Sequence, residues 1–164
     1  IAIRTAGDMY AEVMGRLDRT DILIMAAAVA DYRPTSVAPR KIKKSQRNLT
    51  LELERTQDIL AAVAAARSSG KSKMRLCRPD LVVGFAAETE NLLENARIKL
   101  RDKKLDLLVA NDVSASDSGF GVETNRVTLL TPDGGAEAFP LMSKFEVAER
   151  VLERVAALWR GSHA

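Results

Sequence analysis

The chain has 164 residues, 46% of them hydrophobic, and 25 Lys plus Arg against 22 Asp plus Glu. That length fills one compact core, so residues 1–164 read as a single domain, and the near balance of charge excludes the broad basic field that holds nucleic acid by counterion release. A single cysteine, Cys77, and a single histidine, His163 in a tail expected to fray, exclude an internal disulfide, a Cys-rich metal site and Ser-His-Asp, Cys-His or His-metal chemistry.

In chain order, Ile1 to Arg4 reads as a short strand. Thr5 and Asp8 form a variant capping box before Met9, Val13 and Leu17, which recur at helical spacing. Asp21 to Ala26 is an apolar run of strand length. It leads into "AAAVADYRPTSVAPRKIKK" (26–44), in which three alanines and a carboxylate precede the cations Arg40, Lys41, Lys43 and Lys44. Leu49, Leu51 and Leu53 alternate with polar residues, as in a strand with one wet face. Thr56 and Asp58 open a helix carrying Ile59, Leu60 and Val63, which Ser68-Ser69-Gly70 should stop. Leu81 to Ala87 is again strand-like. Glu88 to Lys104 then reads as a helix with Leu92, Leu93, Ala96 and Leu100 inward, and Leu105 to Ala110 as a third apolar strand. "RVTLLTPDGGAEAFPL" predicts two strands around a turn at 132–135, with Pro140 favouring an edge. Ser143 and Glu146 cap a last helix whose inward set is Phe145, Val147, Val151, Leu152, Val155 and Leu158. No apolar stretch approaches the ~20 residues that span a bilayer. The N-terminus lacks a signal-peptide layout, so the expected compartment is the cytoplasm.

Strands apolar on both faces and separated by helices predict an α/β fold. The expected form is doubly wound and Rossmann-like, a mostly parallel sheet with helices on both faces and a C-terminal antiparallel hairpin. Ligands in such sheets bind beyond the carboxyl ends of the strands, which selects "AAVAD", "AAET" and "AND". Ala27 and Ala28 present little side chain, so a ligand can approach the backbone there; they equally suit close helix packing. Asp31 fits a ribose hydroxyl or a magnesium ion, or simply a turn. The basic run at 40–44 is either a solvated face or a flap closing on a polyphosphate. Lys99 and Lys103 stack on one helix face at a cost that a bound anion would offset, or belong, with Arg97, Arg101 and Lys104, to a salt-bridged surface helix. Phe85 is either a core aromatic or a flank for a flat base.

Taken together, "AAAVADYRP", "KIKK", "TQDIL", "VGFAAET", the helix bearing Lys99 and Lys103, "LVANDV", the Gly-Phe of the next loop, "NRVTLL" and "SKFEVAERVLERV" resemble bacterial phosphopantothenate cysteine ligase, in that family's order and over nearly the whole chain. The resemblance implies joining of 4'-phosphopantothenate to L-cysteine in coenzyme A biosynthesis, with CTP cleaved to CMP and pyrophosphate through an acyl-cytidylate. Both steps crowd negative charge, for which lysines and Mg²⁺ are the expected tools, and neither needs a nucleophilic side chain.

Position by position, the resemblance implies that Asp31 binds nucleotide and that Lys41 serves the chemical steps. It further implies CTP contacts at Thr56, Gln57, Asp58, Ile59, Phe85, Lys99 and Lys103, with Ala27 and Ala28 forming a small-residue wall. Gln57 stands where the family usually has proline, which at a first helical position would only pre-set φ. The family's upstream Gly-rich unit and its Asn- and Ser-rich stretch have no match in residues 1–164. A homodimer is implied, through a flap and dimerisation arm around 32–54, as is a fused or separate flavin-dependent decarboxylase domain. A nucleotide-binding α/β module without turnover is the alternative. A dinucleotide oxidoreductase is weaker, since no G-x-G-x-x-G joins a strand to a helix.

Overall fold

Residues 1–42, 49–69, 79–114, 117–119 and 121–163 are described by a computed structural model. Its elements are α1 (Ala6–Met14), β1 (Ile22–Met25), β2 (Tyr32–Pro34), β3 (Leu53–Arg55), α2 (Ile59–Ser68), β4 (Leu81–Glu88), α3 (Leu92–Asp102), β5 (Leu107–Asp112), β6 (Thr124–Asn125), β7 (Val127–Leu130), β8 (Ala136–Ala138), β9 (Met142–Ser143) and α4 (Lys144–Ser162). Five strands form one sheet in the order β1-β4-β5-β7-β8. β1, β4 and β5 run parallel; β7 and β8 add the antiparallel hairpin. The expected mostly parallel α/β sheet with a C-terminal hairpin is therefore the observed one.

Alternation along the strands supplies both cores. Val82 and Ala86 of β4, with Leu108 and Ala110 of β5, pack under α1, α2 and α3 together with Ile59, Val63, Ala96 and Leu100. Leu81, Val83, Leu107 and Val109 face the other way, onto Val147, Val151 and Val155 of α4. Because successive strand residues point to opposite faces, a strand covered on both sides must be apolar throughout, which explains the unbroken runs in the sequence. At Gly84 a Cβ would stand 2.6 Å from Leu105 Cδ1, so glycine lets β4 lie close under the helices. Both expected capping boxes are present, Thr5 with Asp8 and Ser143 with Glu146.

Several expectations need correction. Ile1 to Arg4 forms no strand and is exposed, so its apolar residues take no part in the sheet. Of the Leu49–Leu53 stretch only Leu53 enters a strand, and Leu49 and Leu51 remain 63% and 61% exposed. Among the described residues β3 pairs only with β2, in a two-stranded ribbon that leaves those leucines uncovered. Helix α3 begins at Leu92 rather than Glu88, because Glu88 still pairs with Asp112 in the sheet and Asn91 adopts a left-handed φ of 49°. Leu93, Phe145 and Leu152 are exposed: α4 meets the sheet along Val147, Val151 and Val155, continued by the expected Leu158 and by Trp159, and Phe145 and Leu152 fall off that line. Strand β5 starts two residues later than expected, at Leu107. His163 caps α4 and stacks on Trp159 with ring centroids 3.9 Å apart, instead of fraying. Lys43, Lys44, Gly70, Cys77 and Phe120 lie outside the described residues. Among the described residues no helix is long and apolar enough to cross a membrane.

Burial separates two substitutions that periodicity treats alike. Leu108→Ala, at a fully buried position, is expected to lower unfolding free energy by about 2–5 kcal/mol. Phe145→Ser, at 72% exposure, should change it by less than about 0.5 kcal/mol. Urea titrations measure both, and comparable losses would contradict the placement of α4.

Candidate active site

The parallel strands end together. Met25, the last residue of β1, is level with Gly84, so Phe85, Ala86 and Ala87 of β4 project past the end of β1 beside "AAAVAD". Chain leaving β1 passes into β2, whose antiparallel pairing with β3 returns it to the start of α2. Two bonds fasten that return: the Thr56 amide donates to Asp31 O at 2.9 Å and the Thr56 hydroxyl to Ala30 O at 2.6 Å. Residues far apart in sequence are thus held against each other.

Between them lies a cavity of about 270 Å³. Ten residues marked in the sequence line it: Ala27, Ala28, Asp31, Thr56, Gln57, Asp58, Ile59, Phe85, Lys99 and Lys103. The eleventh, Lys41, is not among the lining residues; it is exposed, in the chain after β2.

Asp58 has two partners. One oxygen accepts the Ala61 amide at 2.9 Å and caps α2; the other receives the Lys103 ammonium. Gln57 therefore stands before the cap and not at the first helical position, so a proline there would not pre-set helical φ. Burial raises the pKa of Asp58, but the Lys103 hydrogen bond, the Ala61 amide and the charges of Lys103 and Lys99 outweigh it and hold the carboxyl below its ordinary 3.8. Lys99 Nζ lies 3.8 Å from Glu88 Oε1, and Asn95 Nδ2 donates to the other Glu88 oxygen at 3.2 Å. Both lysines face the cavity, and each already has a carboxylate. The identity of these partners was not legible in the sequence, which left open both a bound anion and a salt-bridged surface helix; the ion pairs are those of the second reading.

Lys99 and Lys103 balance Asp31 and Asp58 along the wall, so a polyphosphate would need further cations. Among the described residues no three His, Cys, Asp or Glu converge on a metal position. Asp31 and Asp58 are the two carboxylates on the wall that could take part in holding a cation, and Asp58 is already engaged by Ala61 and Lys103.

Of the three strand ends selected from the sequence, "AND" does not line the cavity. Asp112 is engaged elsewhere, accepting the Ser114 hydroxyl at 2.6 Å and amide at 3.0 Å, which lower its pKa. Asn111, which sequence reasoning passed over as a single residue, pairs with Ala87 and lies on the sheet face of Phe85. Among the described residues its amide oxygen is buried without a partner, an exception of the kind that marks strain or function. Its position at a strand end was the only sequence signal.

Residues 1–158 match the family model described as the DNA/pantothenate metabolism flavoprotein C-terminal domain. The chain belongs to that family. Among curated proteins, the coenzyme A biosynthesis bifunctional protein CoaBC of Bacillus subtilis (strain 168) is 44% identical over 158 residues, covering 96% of this chain and 36% of the relative. The chain thus spans little more than a third of that relative. Of solved structures, the C-terminal domain of a coenzyme A biosynthesis bifunctional protein CoaBC aligns with a TM-score of 0.72 at 34% identity, over 98% of this chain and 66% of the other. A Cab2 H337A mutant in complex with phosphopantothenate-cysteine aligns at 0.65 and 17% identity, over 100% of this chain and 55% of that one, a likeness of fold alone. The family's mixed sheet is the one built here from its strands.

The Asp58–Lys103 pair gives a signed pH prediction. Asp58→Asn keeps a competent helix cap and removes the charge. Because the folded carboxyl titrates below 3.8, its stabilising contribution is complete above the unfolded value and fades as pH falls through the folded one. The parent should therefore exceed the variant in Tm at about pH 7, with the gap closing toward about pH 2. A gap independent of pH would contradict the ion pair.

Proposed function

We propose that this chain is the ligase part of a coenzyme A biosynthesis protein, joining 4'-phosphopantothenate to L-cysteine with CTP as the activating nucleotide. The observation that supports it is the convergence on one cavity at the strand ends of six residues picked out by their own chemistry, Ala27, Ala28, Asp31, Phe85, Lys99 and Lys103, and of four that the family resemblance implies, Thr56, Gln57, Asp58 and Ile59. The name of the Bacillus subtilis relative supports the pathway.

In this reading the substrate carboxylate attacks the α-phosphorus of CTP, forming an acyl-cytidylate and releasing pyrophosphate. The cysteine amine then adds to the acyl carbon, CMP leaves, and the amine loses a proton. The base lies against Phe85 and the small wall at Ala27 and Ala28, where no side chain blocks close approach. Lys99 and Lys103 turn toward the phosphates, exchanging their Glu88 and Asp58 partners for stronger anions. Asp31 and the nucleotide phosphates would hold Mg²⁺, which would supply further positive charge there. Lys41 closes from the arm and adds charge where it develops, which a wall of balanced charge does not provide.

The exposed apolar side chains Val37, Ile42, Leu49, Leu51 and Leu53 on and beside the β2–β3 ribbon suit pairing with a second copy of this chain. In a bifunctional protein the flavin-dependent decarboxylase would be the other part.

A coupled pyrophosphate assay with 4'-phosphopantothenate, Mg²⁺ and CTP, with and without L-cysteine, tests the reading on this chain and on a form extended at its N-terminus. Release in either form is expected, falling at least about 10²-fold in Lys41→Gln with folding intact. Lys99→Ala and Lys103→Ala should each raise the KM for CTP about tenfold. Thermal protection by CTP with no release in either form would reduce the chain to a nucleotide-binding module.

A further inference from the structure

Beside the cavity at the strand ends lies another, of about 330 Å³, walled by Glu88, Asn95, Ile98, Lys99, Asp102 and Lys103. Lys99 and Lys103 line both, so the two spaces meet at these side chains. On that wall and in its ion pairs, Lys99, Lys103 and Arg101 balance Glu88, Asp58 and Asp102. A phosphate chain that takes both lysines breaks the balance. Asp58 and Glu88 lose their cations, while Asp102 keeps Arg101 at 3.2 Å. The second space is then net negative, and a partly buried carboxylate stripped of its cation favours a new donor.

An amino acid supplies one. Its amine, with an ordinary pKa of about 8, must lose a proton to become an amide. Among the described residues lining either cavity there is no His, Cys or Tyr, which leaves the carboxylates as bases. Asp58 stays bound to the Ala61 amide as the cap of α2, and Asp31 lines the first cavity only. Asp102 is 56% exposed beside Arg101. Glu88 differs from all three: its side chain is 19% exposed, and without Lys99 its remaining donor among the described residues is Asn95 Nδ2 at 3.2 Å. Asn95 Nδ2 is itself fixed on Glu90 O at 3.1 Å, and the Val113 amide holds Glu88 O at 3.1 Å, so carboxylate and backbone are both positioned. Asp112, the neighbour of Glu88 in the sheet, is turned to Ser114.

We propose, resting on the ligase reading above, that Glu88 receives the amine of the incoming amino acid and takes its proton as the amide forms. The lone pair of the free amine makes the bond to the acyl carbon while the carbonyl electrons move to oxygen. A nitrogen so bonded is positively charged and far more acidic than before, and it gives one proton to a Glu88 oxygen. The carbonyl then re-forms, the carbon–oxygen bond to the nucleotide breaks, and CMP leaves with that electron pair. Lys99, returning to Glu88 after the nucleotide has gone, expels the proton to solvent.

Glu88→Gln keeps an acceptor for Asn95 and removes the base. It is tested in whichever form of the chain releases pyrophosphate, at saturating CTP, 4'-phosphopantothenate and Mg²⁺. The variant should still give a stoichiometric burst of pyrophosphate, and amide formation with L-cysteine should then fall at least about 10²-fold. Hydroxylamine, whose nitrogen is largely unprotonated at neutral pH, attacks the same acyl carbon with little need of a base, so hydroxamate formation should stay within about threefold of the parent. Equal losses with cysteine and hydroxylamine would mark a structural role and overturn the proposal, as would unchanged cysteine turnover or a burst lost from the variant alone. No pyrophosphate from the parent in either form would instead remove the ligase reading, and this role with it.

Discussion

Parallel pairing of β1 with β4 and of β4 with β5 brings three carboxyl ends to one edge, and the rest of the site hangs from that edge. The pairing is possible because each strand is apolar on both faces and is covered by α1, α2 and α3 on one side and α4 on the other. Once the strands are level, the β2–β3 ribbon can return the chain to α2, and the two bonds from Thr56 fix where α2 begins. A one-residue slip of β1 against β4 would turn its core side chains to the opposite face and move the small wall away from Phe85.

Electrostatics at the site depend on the same arrangement. The start of α2 meets the face of α3, which puts the Asp58 cap beside Lys103. The end of β4 meets α3 one turn away, which puts Glu88 beside Lys99. These pairs hold the lysines toward the cavity at modest energetic gain, since partly exposed ion pairs contribute little. Their value is positional: they hold both ammonium groups at the cavity wall. A balanced wall also explains why the proposed chemistry needs cations from elsewhere, on the arm and in solution.

Much of this was legible in the sequence because it depends on short-range pattern. The apolar runs at 21–26, 81–87 and 105–110 could only be strands covered on both faces, and parallel strands separated by helices put their ends together. The cavity wall was marked by residues at those ends and at the capped start of α2. What was not legible depends on partners distant in the chain. The sequence does not reveal that Lys99 meets Glu88, that Lys103 meets Asp58, or that the Asn111 amide oxygen is buried with no partner among the described residues. Nor could periodicity tell that α4 touches the sheet along a single line, leaving Phe145 and Leu152 exposed, or that the leucines at 49 and 51 stay uncovered. The left-handed turn at Lys104 was hidden for a different reason: the residue type argues against the conformation it adopts.

The most direct measurement is a crystal structure of the chain grown with CTP and Mg²⁺. The expected result is the nucleotide in the cavity at the ends of β1 and β4, its base beside Phe85 and its phosphates within hydrogen-bond reach of Lys99 and Lys103. Lys103 would then have moved off Asp58. Nucleotide bound anywhere else, or an empty cavity at saturating CTP with the Asp58–Lys103 pair intact, would contradict it.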